Sequence, residues 1–450
     1  MITRRKFLKT SLSGFALAAL PVISFSQSNP DVVVIGAGAA GLSATAELIK
    51  KGKSVLCIEA TNRIGGRCYT DMSTFGVPAD IGAHWLHGQK GNELAKFGRR
   101  KHPDKFKIYN APDNSVVYNG SSKDKSGALW ITRKSIKKIW DNSEEDKPLI
   151  DLLPVGLKKS SWFDTAHASM SARDFNNISP YDSWHNWHDP LWSSGNAFCR
   201  EGYGTLLAYY RKDVPVKLNT IVSEIKWGGK GVQVVTNKGT INAKACILTV
   251  SVGVLKAEKI KFTPALSASK FKAFEGITMG TSNRVLMQLK KKFLSKFKND
   301  ADFYIKSKSN GAASPKTIGY GLLKMSGTNV SLFGLNGEFS RDLESEGSEA
   351  MIDFVVNELK STFGSKFYDK YFIKAIATGW CNNPLTLGSY SGAKPGYAKL
   401  RPLLKSPVGD RIFFAGEATA GAYSTVHGAD RSGRKVVDFI LYSSSVLKNT

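Results

Sequence analysis

The chain has 450 residues, 42% of them apolar and 22% charged, with a formal charge of +26. Length and apolar content exclude a disordered tail or a small disulfide-held module and allow two or three domains. The basic residues are spread along the chain without a zinc-finger or RNA-recognition signature, so no nucleic-acid partner is expected.

Setting aside the four cations of the first 28 residues, Arg4, Arg5, Lys6 and Lys9, leaves +22 on the remainder. Such a body repels a cationic ligand at long range, so local acids or aromatic rings must overcome it. The five cysteines (Cys57, Cys68, Cys199, Cys246, Cys381) are odd in number and show no CxxC spacing, which argues against a disulfide framework.

Residues 3–9 read TRRKFLK and precede an apolar stretch over 12–25 broken by Ser13, Gly14 and Pro21. The stretch is short for a membrane span and resembles the twin-arginine export signal of bacteria. The expectation is a leader over 1–28, engagement of the twin-arginine export machinery, and a periplasmic or secreted protein. An uncleaved leader would instead give membrane association.

Residues 31–67 read DVVVIGAGAAGLSATAELIKKGKSVLCIEATNRIGGR. A β-branched run, three glycines, a small-residue helix, a second apolar run and an acid occur in order, the pattern of a dinucleotide-binding βαβ unit. Gly36 permits the turn, Gly38 lets the backbone approach a pyrophosphate, and Gly41 lets helix and strand pack closely. Glu59 lies 23 positions after Gly36 and suits ribose hydroxyls. Gly65 and Gly66 allow a second close approach, and Arg67 can neutralise a phosphate. In PADIGAHWLHG, residues 78–88, Trp85 and His87 can reach toward a site.

Helical character is read over 131–140 and 148–159. The segment 184–189, WHNWHD, has histidines at i,i+3, but no further ligand lies nearby, and no metal is expected. Short strands are read over 216–218, 221–227, 232–236, 240–242 and 245–250, with 214–218 able to return to the nucleotide sheet. Further strands are read over 271–274, 284–289, 317–323 and 329–335, and an amphipathic helix over 348–359. A strand at 411–415 and a closing helix after residue 425 complete the chain. The N–H groups at that helix start would favour negative charge on a bound group.

The set GAGAAG, IGGRCYT, DIGAHWLHG, EGYGTLL, TVSVGVLK, MGTSNRVL, GWCNNPLTLGSY and FFAGEATAGAYSTVHGA resembles the FAD-dependent amine oxidases of the monoamine and polyamine oxidase type. The resemblance implies an α/β fold with an interrupted FAD-binding domain and a second α+β substrate domain. It divides the chain into a leader (1–28), FAD-binding parts at 29–95, 201–255 and 381–450, and substrate-domain parts at 96–200 and 256–380. It implies that Val222 brackets the adenine and that Gly416, Glu417 and Val426 belong to the cofactor site, Glu417 on the ribityl or phosphate side. Ser389 stands where monoamine oxidases carry the flavin-linked cysteine, so FAD is expected to be non-covalent. Tyr390 matches one wall of an aromatic cage. Thr425 stands at the other wall, with Tyr423 a candidate to fill the gap. Trp380 would pack under flavin or substrate, and His87 would orient a polyamine nitrogen. Arg284 stands where most of the family has a lysine beside flavin N5. Arginine has a planar, permanently charged head and cannot serve as a neutral base.

The implied reaction is hydride transfer from an amine to FAD N5. It gives an imine that water hydrolyses to an aldehyde, with oxygen or another electron acceptor reoxidising the flavin; oxygen gives hydrogen peroxide. A polyamine is the first expected substrate. Alternatives are a monoamine, an L-amino acid gripped by Arg284 or Arg200, an amine dehydrogenase, and a non-catalytic flavin-bearing binding protein. The oligomeric state stays open.

Overall fold

The computed structural model describes residues 29–182, 194–442, 445 and 447. The expected leader and the WHNWHD segment lie outside the described residues. No group of metal-ligating side chains occurs among the described residues, and no helix there is long and apolar enough to cross a membrane.

The first layer is a five-stranded parallel sheet in the order Val216–Lys217, Val55–Ile58, Val32–Ile35, Ala245–Leu248, Ile412–Phe414. Strands Val32–Ile35 and Ala245–Leu248 are buried at every position, which explains why they read as unbroken apolar runs. Three separated stretches of chain therefore build one sheet. Helices Ala39–Lys50 and Val426–Tyr442 pack side by side on it. The approach is close because Gly433 has no side chain: a Cβ there would lie 2.1 Å from the Ala40 carbonyl oxygen. Strands Val222–Lys226, Val232–Thr236 and Gly239–Ala243 form an antiparallel meander, joined by Lys261–Thr263.

The second layer is a seven-stranded sheet. Its order is Phe372–Ala377, Ser282–Leu289, Val330–Asn336, Tyr320–Leu323, Ala301–Ile305, Ser115–Asn119, Ser122–Lys123. Helices Gly337–Glu346 and Ser348–Phe363 cover one face, where Phe293, Phe303, Phe333 and Phe367 form the core. The other face carries Arg284. Gly334 pairs with both Arg284 and Tyr320. A Cβ on Gly334 would lie 2.2 Å from Tyr320 Cε1, so the absent side chain is what lets the Tyr320 ring lie across that strand.

The sequence reading differs from the structure in places. Residues 271–274 are helical, inside Ala268–Gly276, not a strand. Ser267 caps this helix by accepting from Lys270 N, and the buried Lys270 ammonium donates to the carbonyls of Leu403, Leu404 and Ser406 at 2.7–2.9 Å. The two phenylalanines, three apart, serve a helix face. The helical stretch over 148–159 is two short helices, Leu149–Leu152 and Val155–Lys158, because Pro154 cannot continue the first.

Gly41 is the tightest point of the nucleotide unit: a Cβ there would lie 1.8 Å from the Gly36 carbonyl oxygen. Gly41→Ala is expected to destabilise the protein by about 2–3 kcal/mol, because backbone must move. Gly38 has nothing within 4 Å of its Cβ position. Gly38→Ala is therefore expected to melt near the parent temperature when stripped of ligand. Thermal melts of the two variants check this; equal midpoints would contradict it.

Candidate active site

A single cavity of about 900 Å³ runs between the two layers. One end is lined by Gly36, Gly38, Glu59 and Val222, and the middle by Gly65, Gly66, Arg67, Gly416, Glu417 and Val426. Arg284, Tyr390, Thr425, His87 and Trp380 line it beyond. Of the residues singled out from sequence, Gly41 lies outside the lining, behind Gly36. Tyr423 is also outside it. Its ring is held by the guanidinium groups of Arg401 at 3.9 Å and Arg173 at 5.6 Å, so it does not fill the cage. Arg200 is exposed and does not line the cavity, which removes it as a carboxylate grip.

The nucleotide end fits a dinucleotide. Helix Ala39–Lys50 starts at Gly38 with no side-chain cap, so its first N–H groups are available to phosphate, and Ala39 and Ala40 line the cavity there. The Glu59 carboxylate accepts from Ala37 N at 2.7 Å and from the N and Oγ1 of Thr61 at 2.9 Å. These bonds fix it at the end of its strand, facing the site where a ribose would lie.

The middle is organised by Glu417. Its buried carboxylate accepts from Arg67 Nη1 at 3.0 Å, Ser391 Oγ at 2.7 Å and Ser424 N at 3.0 Å. Arg67 Nη1 also donates to the Ser389 carbonyl at 2.9 Å. Ser389 Oγ donates to the Gly280 carbonyl at 2.9 Å and offers no thiol for a flavin bond.

Arg284 Nη1 donates to the Gly82 carbonyl, and its guanidinium lies 5.6 Å from the centre of the Trp85 ring. The head is thus committed to backbone and ring. Asn283 beside it points to the other face: its Oδ1 accepts from Trp380 N at 3.2 Å, and its Nδ2 donates to Glu344 at 2.7 Å. That pair of bonds holds Trp380 against the cavity. Thr425 Oγ1 donates to the Ala422 carbonyl at 2.7 Å and accepts from Gly428 N at 3.0 Å. Its hydroxyl is spent on capping the last helix. Burial pushes the Tyr390 phenol up to about 12, so it stays neutral. Burial lowers His87 to about 4, although Asn196 Oδ1, 2.8 Å from Nδ1, works the other way. His87 is therefore a neutral imidazole with Nδ1 as donor.

Sequence reasoning missed Tyr320, Tyr304, Asp302, His84, Arg133 and Trp140, all of which line the cavity. Tyr320 lies edge-on to Trp85 at 5.9 Å and supplies the ring that Thr425 does not. The order of the second sheet brings in Asp302, Tyr304 and Tyr320, helix Ala128–Asn142 brings in Arg133 and Trp140, and His84 sits inside the DIGAHWLHG segment.

Comparison with known proteins bears on this site. A family profile described as "Flavin containing amine oxidoreductase" matches residues 179–441, and one described as "NAD(P)-binding Rossmann-like domain" matches residues 34–100. The chain is 30% identical to Polyamine oxidase 4 of Oryza sativa subsp. japonica, over 91% of this chain and 88% of that one. It is 28% identical to Lysine-specific histone demethylase 1 homolog 2 of Arabidopsis thaliana, over 95% of this chain and 61% of that one. Wild-type putrescine oxidase bound to putrescine has the same fold: TM-score 0.72 and 18% identity, over 91% of this chain and 98% of that one.

Burial alone would raise the Glu417 carboxyl, but Arg67, the Ser391 hydrogen bond and Arg401 outweigh it and hold it below the usual range. Its folded-state pKa is depressed. Its contribution is therefore complete above the unfolded value of about 4.3 and is lost as pH falls through the lower folded value. Glu417→Gln is expected to cost about 3–5 kcal/mol at neutral pH, because Arg67 loses its counter-charge. Part of the acid limb of stability should go with it. Urea midpoints at pH 7 and pH 3 check this; a variant with the parent's acid limb would contradict it.

Proposed function

The chain belongs to the flavin containing amine oxidoreductases, and on that premise we propose that it oxidises a linear polyamine of three or more nitrogens whose remote ammonium rests on Asp302. Its cofactor is FAD, held without a covalent bond, and its reaction is flavin-dependent oxidation of an amine with formation of hydrogen peroxide. Bound FAD supplies the hydride acceptor.

In this reading the start of helix Ala39–Lys50 and the Gly65–Gly66 turn receive the pyrophosphate. Glu59 receives the ribose, and Val222 lies beside the adenine. Arg67, Gly416, Glu417 and Val426 hold the remainder. Tyr390 and Tyr320 wall the amine, Trp380 closes the apolar side, and His87 offers a neutral polar contact. The apolar walls favour the neutral amine, whose lone pair assists departure of the hydride. Arg284 places a fixed positive charge at this end and discourages a second cation there.

The observation that carries the polyamine is Asp302. Four carboxylates line the cavity: Glu59, Asp141, Asp302 and Glu417. Glu59 and Glu417 are bonded as described, and Asp141 pairs with Lys137. Among the described residues the Asp302 carboxylate has no hydrogen bond or ion pair. Cation competition is muted, because Arg133 donates to the Tyr304 hydroxyl at 2.8 Å.

Sheet geometry gives the span. Arg284 pairs with Gly334, Gly334 with Tyr320, and Leu322, two residues on, with Asp302. Paired residues and i,i+2 residues share a face, so Arg284 and Asp302 stand on one face, three strand spacings apart. That is roughly 14–16 Å, reduced by a few ångström for the side chains at each end. An extended chain of roughly 9–13 bonds covers it, as in spermidine or spermine; putrescine falls short.

Burial pushes Asp302 up to about 6, against the pull of Arg133. The ionised form that grips an ammonium is present above that pH and lost below it. For spermine and spermidine, kcat/KM is expected to fall as pH drops through about 6. Asp302→Asn should lack that limb and raise KM on the order of tenfold, while a simple alkyl monoamine is unaffected. Equal changes for long and short amines would sink the assignment.

The leader motivates a second proposal, export of the folded, FAD-loaded protein by the twin-arginine route. It is supported by Arg4-Arg5 followed by Lys6-Phe7-Leu8 and a short apolar stretch. Cell fractionation of the full chain and of a variant with both arginines changed to lysine tests it. The parent should be extracytoplasmic and the variant retained; identical distributions would refute the route.

A further inference from the structure

Helix Ala128–Asn142 turns one face toward the cavity: Arg133, Lys137, Trp140 and Asp141 recur at spacings of three and four and all line it. Lys137 is paired with Asp141, so its charge is matched on its own helix. Arg133 has no acidic partner among the described residues; its Nη1 donates to the Tyr304 hydroxyl at 2.8 Å. The guanidinium lies 5.4 Å from the centre of the Tyr304 ring and 5.2 Å from that of Trp130. These two rings meet edge to face at 5.2 Å. Two rings and a hydroxyl therefore hold a permanent cation at one place on the cavity wall.

That place is beside Asp302. Tyr304 is two residues from Asp302 on strand Ala301–Ile305, so both side chains leave one face of the sheet, about 6–7 Å apart along the strand. Asp302 pairs with Leu322 and Phe303 with Gly321, a register that continues to Tyr304 opposite Tyr320, in the row that starts at Arg284. A chain stretched from Arg284 to Asp302 crosses Tyr320 and ends beside Tyr304 and its guanidinium. Arg133 is near enough to draw the Asp302 carboxyl down against burial.

We propose that Arg133 is a specificity-determining residue that limits this end of the cavity to one ammonium. The single free carboxylate takes the terminal ammonium. A second ammonium one propyl spacer back, or about 5 Å along the chain, meets the guanidinium as a like charge. Both arms of spermine are propyl. Spermidine has a butyl arm, which keeps its inner nitrogen further from Arg133 and makes it the better substrate of the two. The inference rests on the placement of a remote ammonium at Asp302 and adds to it which amines that placement rejects.

The charged and titratable groups around the Asp302 carboxylate are Arg133, Asp113 and Asp300, with the Tyr304 hydroxyl beside them. Asp113 and Asp300 push its carboxyl up, and Arg133 is the cation of the set. Loss of that cation is expected to raise Asp302 further, so the acid limb of kcat/KM for spermidine should move up from about 6. A lysine in its place keeps the charge and should keep the limb.

The test is kcat/KM of the FAD-loaded enzyme for spermidine, spermine and dodecanediamine. The last matches spermine end to end but has methylenes in place of the inner nitrogens. In Arg133→Gln, whose amide still donates to the Tyr304 hydroxyl, the spermine-to-dodecanediamine ratio should rise on the order of tenfold, and the acid limb should move up. Arg133→Lys should leave both at the parent's values. A second readout uses the parent alone and covers the case in which glutamine fails to hold the fold. There the same ratio should rise as pH approaches about 10, where the inner nitrogens lose their protons while arginine keeps its own. An unchanged ratio in Arg133→Gln, an equal rise in Arg133→Lys, or a parent ratio that is flat with pH overturns the proposal. Absence of the parent's acid limb near pH 6 would instead defeat the reading of Asp302. Failure of every amine to reduce the flavin would defeat the activity itself.

Discussion

The buried carboxylate of Glu417 is shared by parts of the chain that are far apart in sequence. Arg67 follows the first βαβ unit, Ser391 follows the Ser389-Tyr390 pair, and Ser424 precedes the last helix; all three donate to it. Arg401 extends the same set: it donates to Ser391 Oγ at 3.1 Å and to the Ala418 carbonyl at 3.0 Å while paired with buried Asp182. A buried charge is tolerable only when its partners are all present. The cluster therefore forms when three stretches of chain meet, and their meeting places Tyr390, Thr425 and the helix start around one cavity. The site depends on this convergence more than on any single loop.

The parallel sheet was legible because its strands are buried on both faces and its glycines obey steric limits that do not depend on the rest of the fold. Gly36 and Gly41 touch each other's backbone across one turn, so their spacing is visible in the sequence. The cofactor-facing residues follow from that unit and from motifs at the other strand ends. The substrate half was less legible. Residues 271–274 read as strand because four residues are too few to show a period; the spacing of three between the phenylalanines suits a helix face, and the Ser267 cap starts that helix. Thr425 was placed in the cage by position, whereas its hydroxyl caps a helix, and the ring comes from Tyr320. Tyr320 reaches its place only because Gly334 on the next strand has no side chain, a fact of sheet order that no local window contains. Asp302 is a lone acid in an apolar strand. It became meaningful when the register put it on the same face as Arg284. Asp80 and His84 sat in plain view within one motif, but their bond needs a non-helical backbone that the spacing does not announce.

The charge distribution poses a physical problem that the cavity resolves locally. A body carrying +22 repels a polyamine at distance, though screening confines that repulsion to roughly 8–10 Å at ordinary ionic strength. Inside, the balance reverses. Aromatic faces of Trp85, Tyr304, Tyr320 and Tyr390 attract ammonium groups, and Asp302 supplies a carboxylate whose desolvation goes uncompensated until a cation arrives. At the flavin end the requirement is opposite, since the reacting nitrogen must lose its charge. A fixed arginine stands at that end, and a free carboxylate serves the other. One cavity thus keeps a cation at one end and neutralises one at the other.

The central claim is that this cavity couples flavin reduction to a polyamine of a defined length. The most direct measurement is anaerobic bleaching of the bound flavin by spermine, spermidine, putrescine, a simple alkyl monoamine and an L-amino acid, followed by admission of oxygen. The account predicts that bleaching is fastest with spermine or spermidine and slower with putrescine. Oxygen should then restore the yellow colour with release of hydrogen peroxide. Equal bleaching by putrescine and spermine, or bleaching by the amino acid alone, would contradict it.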